Sequence, residues 1–247
     1  MIALAAARNL PKSVPRGIIF DMDGTLVRPC IDFGEMRRRI YQVSSQDLQR
    51  NITQGCVLEL TSSLSPLAQE EATRIFEDIE EQAIRNMQFM DGMVELCQWL
   101  DAQGIRRAVL TRNVERSVDA LHDKLHPVIT PFVPAVARNT KCPITAQSIP
   151  FKPRPDAIHF ICQQWDCDPS QVVMVGDSSK DDVVAANRAG CASVLLHLGE
   201  DNCSGNDQES TLEEREPTLT VRSLRDLHEI LASQYEPQQT RRSKFTN

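Results

Sequence analysis

Three short apolar runs, each ending abruptly in small polar or acidic residues, place the strongest constraint on the fold. None of the runs alternates apolar with polar residues, which is typical of strands buried on both faces of a parallel sheet. The runs and the residues that follow them are 17–20 before Asp21-Met22-Asp23-Gly24-Thr25, 107–110 before Thr111-Arg112-Asn113, and 172–175 before Gly176-Asp177-Ser178. Because ligands bind at the carboxyl ends of strands in open α/β sheets, these polar residues mark the expected binding edge.

Helical patterns lie between these runs and predict an α/β fold built on a doubly wound parallel sheet. A further buried strand is expected over residues 193–196. The predicted helices cover residues 91–104 with Asp91 as the cap, 113–125, 155–165, 181–190, and a final helix that Ser223 caps.

Residues 30–89 interrupt this alternation, because they show helical periodicity and contain no buried-strand run. A plain crossover of this length would be unusual, so a small inserted helical domain is favoured over one long connection. The expected divisions are an N-terminal tail (1–15), a discontinuous core (16–29 and 90–235), the helical insert (30–89) and a C-terminal tail (236–247). Residues 199–217 are rich in acidic and small polar residues and are predicted to form a mobile loop.

Charge and composition limit the classes of partner. The 247 residues carry a net charge of -7, which argues against binding to nucleic acid or to an anionic membrane surface. No apolar run approaches the roughly 18 residues that a bilayer-spanning helix requires. The eight cysteines form no CxxC pair and have no histidines at zinc-binding spacing, which indicates reduced thiols and a cytoplasmic protein. The first 16 residues contain no acid, so organelle targeting is the alternative.

Acidic side chains would meet at the binding edge if the strands that carry them are neighbours. Asp21 and Asp23 follow the first run, and Asp177 follows the third, with Asp181 and Asp182 just behind it. Such carboxylates would repel one another strongly in a partly desolvated cleft. Mg²⁺ relieves this repulsion and prefers oxygen ligands, so the pattern predicts a Mg²⁺ site that also takes a substrate phosphate. Separate helix caps and turns are the alternative.

The same edge offers the groups that phosphoryl transfer requires. Asp21 can act as a nucleophile that forms an aspartyl phosphate, and Asp23 can serve as both acid and base. Thr111, the amides that follow it, and Lys152 can surround the equatorial oxygens of the phosphoryl group. Gly24 permits a tight turn that brings backbone amides near the phosphate.

With these residues in this order, the sequence resembles the haloacid dehalogenase-like (HAD) hydrolase superfamily, in its phosphatase branch with a small helical (C1-type) cap. The resemblance covers roughly residues 16–235 and includes all four family motifs. The motifs are DxDGT at 21–25, Thr111 after a strand, Lys152 in KPxPD, and GDSxxxD from Gly176 to Asp182. The implied fold is a doubly wound parallel Rossmannoid sheet with an inserted α-helical cap.

The resemblance implies a role for each matching residue. The implied catalytic residues are Asp21 as nucleophile, Asp23 as general acid and base, Thr111 and Lys152. The expected phosphate-binding residues are Gly24, Thr111, Arg112 and Lys152. The implied metal-binding residues are Asp21, Asp23 through its backbone carbonyl, Asp177 and Asp182.

The last acid of the fourth motif is either Asp181 or Asp182. Family members usually end the following helix in Ala-Gly, with the glycine eight residues after this acid. Gly190 therefore favours Asp182, and Asp181 is the alternative.

The resemblance implies a Mg²⁺-dependent phosphatase that acts on a small phosphorylated metabolite through an aspartyl-phosphate intermediate. The cap would close over the site, exclude water and select the substrate. Asp23 argues against a dehalogenase, because dehalogenases lack this acid and need no proton for the leaving group. A phosphomutase and a catalytically silent binding module are the alternatives, and the sequence leaves the substrate and the choice between monomer and homo-oligomer open.

Overall fold

A six-stranded parallel sheet forms the scaffold of the larger of two structural units. The computed structural model describes residues 10–29, 31–197 and 210–235. The strands are β1 (Gly17–Phe20), β2 (Arg106–Leu110), β3 (Ala135–Val136), β4 (Val172–Gly176), β5 (Ala192–Leu196) and β6 (Leu219–Val221). Their order across the sheet is β3-β2-β1-β4-β5-β6, and every neighbouring pair is parallel. The predicted α/β class with a parallel sheet is therefore confirmed.

The central strands are those that the apolar runs predicted. Every residue of β1 and β4 is buried, as expected for strands covered by helices on both faces. Strand β1 lies between β2 and β4, with Phe20 level with Val109 and Val175. The carboxyl ends of the three strands consequently lie side by side.

Residues Pro29–Gln88 form a second unit, which is helical. Its helices are α1 (Phe33–Asp47), α2 (Val57–Ser62) and α3 (Pro66–Arg85). Helix α1 begins where the Asp32 carboxylate accepts a hydrogen bond from the Glu35 amide at 2.8 Å. The unit has its own apolar core, to which α1 and α3 contribute Met36, Ile40, Val43, Ala72, Ile75, Phe76 and Ile79. This unit occupies the stretch predicted as an insert, and its role as a cap stays a prediction.

The described part of the larger unit contains five further helices. They are α4 (Met93–Ala102), α5 (Glu115–Leu125), α6 (Asp156–Gln164), α7 (Val184–Ala189) and α8 (Leu224–Tyr235). The prediction that Ser223 caps the last helix is confirmed, because its hydroxyl accepts from the Asp226 amide at 3.0 Å. The prediction that Asp91 caps α4 is wrong. Gly92, at a φ of 82°, is the residue before the helix, and Asp91 instead accepts a hydrogen bond from Arg28 at 2.9 Å.

The helix predicted over residues 181–190 has an unusual start. Ser179–Val183 form a π-helical turn, in which Ser178 O accepts from Val183 N at 3.2 Å, before α7 begins at Val184. Helix α7 ends at Gly190, whose φ of 80° is left-handed. Asp182 and Val183 are the buried residues of this turn.

Several expected segments fall at or beyond the limits of the described residues. Outside the described residues lie 1–9, most of the predicted loop (199–209) and the predicted tail (236–247). Within the described end of the predicted loop, Glu213–Arg215 form a 3₁₀ turn. No helix in the described part of the chain is both long and apolar enough to cross a bilayer.

Candidate active site

Asp21 is the first residue after β1, and the sheet fixes its position. Its amide donates to Val175 O at 2.8 Å, so the pairing with β4 continues one residue past the strand. Its side chain is buried, although Asp is seldom buried unless it is paired.

The partner of Asp21 is Lys152, which lies 131 residues away in the sequence. Lys152 Nζ donates to Asp21 Oδ1 at 2.5 Å and to Asp182 Oδ1 at 2.6 Å. The Lys152 side chain is 3% exposed, so its charge is withdrawn from water and is balanced by these two acids. One ammonium group therefore bridges the carboxylates that follow β1 and β4.

Asp182 and Asp181 are adjacent in the sequence but bind different partners. The π-helical turn directs Asp182 inward, where its Oδ2 accepts from the Ser178 amide at 3.0 Å while Oδ1 binds Lys152. Asp181 Oδ2 instead accepts from Arg112 at 3.0 Å, and this pair is about one-third exposed. The structure thus brings Asp182, not Asp181, into contact with Lys152.

Two glycines allow the acidic residues to approach the backbone. A Cβ on Gly24, whose φ is 77°, would lie 2.0 Å from Asp177 Oδ2. A Cβ on Gly176 would lie 2.2 Å from the carboxyl carbon of Asp182. No side chain can occupy either position unless the carboxylates move, because real Cβ contacts of this length do not occur.

Burial raises the pKa of the clustered acids. Burial is the main cause for Asp177, whose pKa rises to about 8, with further contributions from the charges of Asp21 and Asp182. Burial also raises the pKa of Asp182 to about 7 against the opposing charge of Lys152. The pKa of Asp21 is raised for the same reason. Burial alone would lower the pKa of Lys152, but Asp182 and Asp21 outweigh it and raise this pKa.

When all of these acids are ionised, the charges at this edge do not balance without a further cation. One ammonium group faces three carboxyl groups, and one oxygen atom from each of Asp21, Asp177 and Asp182 lies within 4.8 Å of the other two. Carboxylate oxygens in such a group are the ligands that hard divalent cations prefer. The three residues can therefore hold one such ion.

The turn after β2 brings a second set of polar groups to the same edge. Thr111 is 2% exposed, and its hydroxyl oxygen accepts from the Asn113 amide at 3.1 Å. This bond uses a lone pair and leaves the hydroxyl hydrogen available for another acceptor. Asn113 Nδ2 in turn donates to Asp23 Oδ2 at 2.5 Å. The side chains of Asp23 and Thr111 are thus linked through a residue that sequence reasoning did not select.

The predicted phosphate-binding residue Arg112 points to Asp181. Its guanidinium binds that carboxylate and lies 5.2 Å from the ring centre of Phe151. A contact between Arg112 and a phosphate therefore stays a prediction. Asn113 was not among the site residues predicted from the sequence. The one sequence feature that could have indicated it is its position two residues after Thr111, at the end of a predicted strand.

Comparison with known proteins is consistent with this geometry. A family model described as haloacid dehalogenase-like hydrolase matches residues 15–190. A haloacid dehalogenase-like hydrolase domain-containing protein of Arabidopsis thaliana is 35% identical over 237 residues, covering 95% of this chain and 91% of the relative. A phosphoglycolate phosphatase of Pseudomonas putida is 27% identical over 235 residues, covering 88% of this chain and 80% of that enzyme.

A solved structure has the same fold. It is described as a predicted phosphoglycolate phosphatase from Haemophilus somnus and superposes with a TM-score of 0.61 at 21% identity. The alignment covers 88% of this chain and 98% of that one. Together with the family match over most of the chain, these relatives show that the protein belongs to the haloacid dehalogenase-like hydrolase family.

Proposed function

We propose that this hydrolase is a Mg²⁺-dependent phosphatase that cleaves a small phosphorylated metabolite through an aspartyl phosphate on Asp21. The observation that carries the proposal is the contact of Lys152 with both Asp21 and Asp182, at 2.5 Å and 2.6 Å. This contact holds the Asp21 carboxylate next to a fixed positive charge at the end of β1, where a substrate phosphate can approach.

In the first half of the reaction, a carboxylate oxygen of Asp21 forms a bond to phosphorus, and the bond from phosphorus to the leaving oxygen breaks. Asp23 gives its proton to that leaving oxygen. The side chain of Lys152 stabilises the negative charge shared between Asp21 and the phosphoryl group. The products of this half are the free alcohol and the phosphorylated Asp21.

In the second half, water attacks the phosphorus atom of the aspartyl phosphate. Asp23, now ionised, accepts a proton from this water, and the bond between phosphorus and the Asp21 oxygen breaks. Asp21 is regenerated as a carboxylate, and inorganic phosphate leaves. One residue can serve both halves because the acid in the first is the base in the second.

The residues fit a bound Mg²⁺ and a phosphate. Asp21, Asp177 and Asp182, whose ligand oxygens lie within 4.8 Å of one another, would hold the ion together with the Asp23 backbone carbonyl. When bound, Mg²⁺ would neutralise phosphate charge and draw the phosphoryl group towards Asp21. We assign the phosphate oxygens to the Thr111 hydroxyl and neighbouring amides.

We propose a small metabolite as substrate because relatives that match most of this chain are named phosphoglycolate phosphatases. Phosphoglycolate is therefore the first compound to test, followed by sugar phosphates and nucleotides. The helical unit Pro29–Gln88 is proposed to serve as the cap that selects among them.

Phosphate release from this panel and from p-nitrophenyl phosphate tests the proposal. We expect release that requires Mg²⁺, stops with EDTA and is lost in Asp21→Asn. Asp168→Asn is the matched control, because that carboxylate accepts from the Ser170 amide at 2.9 Å in the turn before β4, at the other edge of the sheet. Activity that persists in Asp21→Asn would contradict the assigned nucleophile. No release from any compound would contradict the phosphatase activity itself.

A further inference from the structure

Asn113 is a buried residue next to the reacting groups that the proposed roles do not use. It is 9% exposed and is the third residue after β2. Its side-chain amide donates to Asp23 Oδ2 at 2.5 Å. Asp23 is 90 residues away in the sequence, so the sheet brings the two side chains together.

The backbone of Asn113 is held on both sides. Its amide donates to the Thr111 hydroxyl oxygen at 3.1 Å, and its carbonyl accepts from the Arg138 amide at 2.7 Å. Arg138 comes two residues after β3, so two neighbouring strands determine where Asn113 lies. A side chain on such a fixed backbone can orient its partner, because little freedom remains in the donor.

The contact restrains the carboxyl group of Asp23. A carboxyl group has two oxygens, and the Asn113 amide occupies Oδ2, which restricts rotation of the carboxyl group about its bond to Cβ. Asn113 adds no charge to a site that already holds several acids. A lysine in this position would instead compete with Lys152 for the same carboxylates.

We propose that Asn113 is a positioning residue that fixes the orientation of the Asp23 carboxyl group, in which that group exchanges its proton with the leaving oxygen and the attacking water. This inference rests on the proposed function, because it requires Asp23 to act as acid and base. Asn113 itself neither gains nor loses a proton. The step that it assists moves one proton from Asp23 to the leaving oxygen as the bond to phosphorus breaks.

A merely structural role for Asn113 makes a different prediction. A good leaving group such as p-nitrophenolate departs without a proton, whereas an alkoxide needs one. Misplacing Asp23 should therefore slow the cleavage of alkyl phosphates and spare p-nitrophenyl phosphate. General damage to the turn after β2 should slow both equally.

The experiment compares kcat/KM for p-nitrophenyl phosphate, phenyl phosphate and β-glycerophosphate in the wild type, Asn113→Leu and Asn113→Ala. This parameter includes every step up to departure of the leaving group, so slow breakdown of the aspartyl phosphate does not mask the effect. We expect a loss of about 10- to 100-fold for the alkyl phosphate and about 3-fold or less for p-nitrophenyl phosphate.

Three further variants complete the design. Asp23→Asn should show the same dependence on the leaving group, with a larger loss of kcat/KM. Adding Asn113→Leu to Asp23→Asn should lower kcat/KM little further, since both changes act through one carboxyl group. Asn139→Ala is the matched control, because its side chain accepts from the Glu115 amide at 3.1 Å in the neighbouring loop. Thermal unfolding of both Asn113 variants checks that they are folded.

The outcomes separate this inference from the proposed function. Equal losses for all leaving groups in folded Asn113 variants, or no loss, would overturn the positioning role alone. Additive losses in the double variant would do the same. No release by the wild type, or no dependence on the leaving group in Asp23→Asn, would overturn the assigned function of the site and the inference with it.

Discussion

Lys152 and Asp182 form a buried ion pair at 2.6 Å, with side chains 3% and 2% exposed. Lys152 also binds Asp21 at 2.5 Å, so one cation offsets two buried acids that come from opposite ends of the core sequence. Removing one partner of a buried pair leaves an uncompensated charge, which costs more than the pair itself contributes. We therefore expect Lys152 to contribute to stability as well as to the proposed chemistry.

We therefore expect Lys152→Met to lower the free energy of unfolding by about 3–5 kcal/mol, the usual cost of breaking a buried pair. Phosphate release should fall below detection. Urea denaturation in EDTA measures the stability, with Lys124→Met on the exposed side of α5 as control. Equal midpoints for the two variants would show that Lys152 is not the counter-ion of the site.

Asp182→Asn and Asp181→Asn should behave differently, although the two acids are adjacent. Asp182 binds Lys152 and the Ser178 amide, so its loss should reduce activity by about 100-fold or more and weaken Mg²⁺ binding. Asp181 binds the partly exposed Arg112, and such pairs contribute about 1 kcal/mol or less. Steady-state kinetics and a Mg²⁺ titration distinguish them, and the reverse ranking would move the motif acid to Asp181.

Gly24→Ala should impair metal binding, because the added Cβ would lie 2.0 Å from Asp177 Oδ2. Gly104→Ala is the matched control. Gly104 also has a positive φ, 67°, but among the described residues beyond its chain neighbours no atom lies within 4 Å of where its Cβ would be. Both variants should lose about 1 kcal/mol from backbone strain. Only Gly24→Ala should need about 10-fold more Mg²⁺ for half-maximal activity, and an equal shift in both would contradict the close-contact argument.

The metal-free protein should become less stable as pH rises. Burial raises the folded-state pKa of Asp177 to about 8 and of Asp182 to about 7, whereas an unfolded Asp titrates near about 3.9. Between these values the folded state binds more protons than the unfolded state, so the free energy of unfolding falls with increasing pH.

Thermal unfolding in EDTA at about pH 5 and about pH 8 measures this loss, and saturating Mg²⁺ should largely remove it. Asp177→Asn should flatten the pH dependence. Asp168→Asn should not, because a hydrogen bond from Ser170 lowers the pKa of Asp168, which then titrates below this range. A metal-free wild type that gains stability with pH would contradict the picture of a buried, charge-excess cluster.

The sequence by itself determined the fold class and the edge of the sheet at which the candidate site lies. Strands β1 and β4 could be predicted because both faces are buried and their residues are apolar or glycine. Strand β2 begins with two arginines, and its apolar residues 108–110 carried the prediction. Asp21, Thr111 and Asp177 follow directly, since each comes at the end of such a run. Strands β3 and β6, with two and three residues, are too short for a periodic signal.

The tertiary structure alone decided which of these residues touch. In the order β2-β1-β4, strand ends that are far apart in the sequence lie side by side. In this arrangement Lys152 contacts Asp21, and Asn113 contacts Asp23. The spacing to Gly190 already favoured Asp182 over Asp181, and the structure added that Asp182 binds Lys152 whereas Asp181 binds Arg112. Such contacts are non-local, so no pattern along the chain encodes them, and they arise only when the sheet has formed.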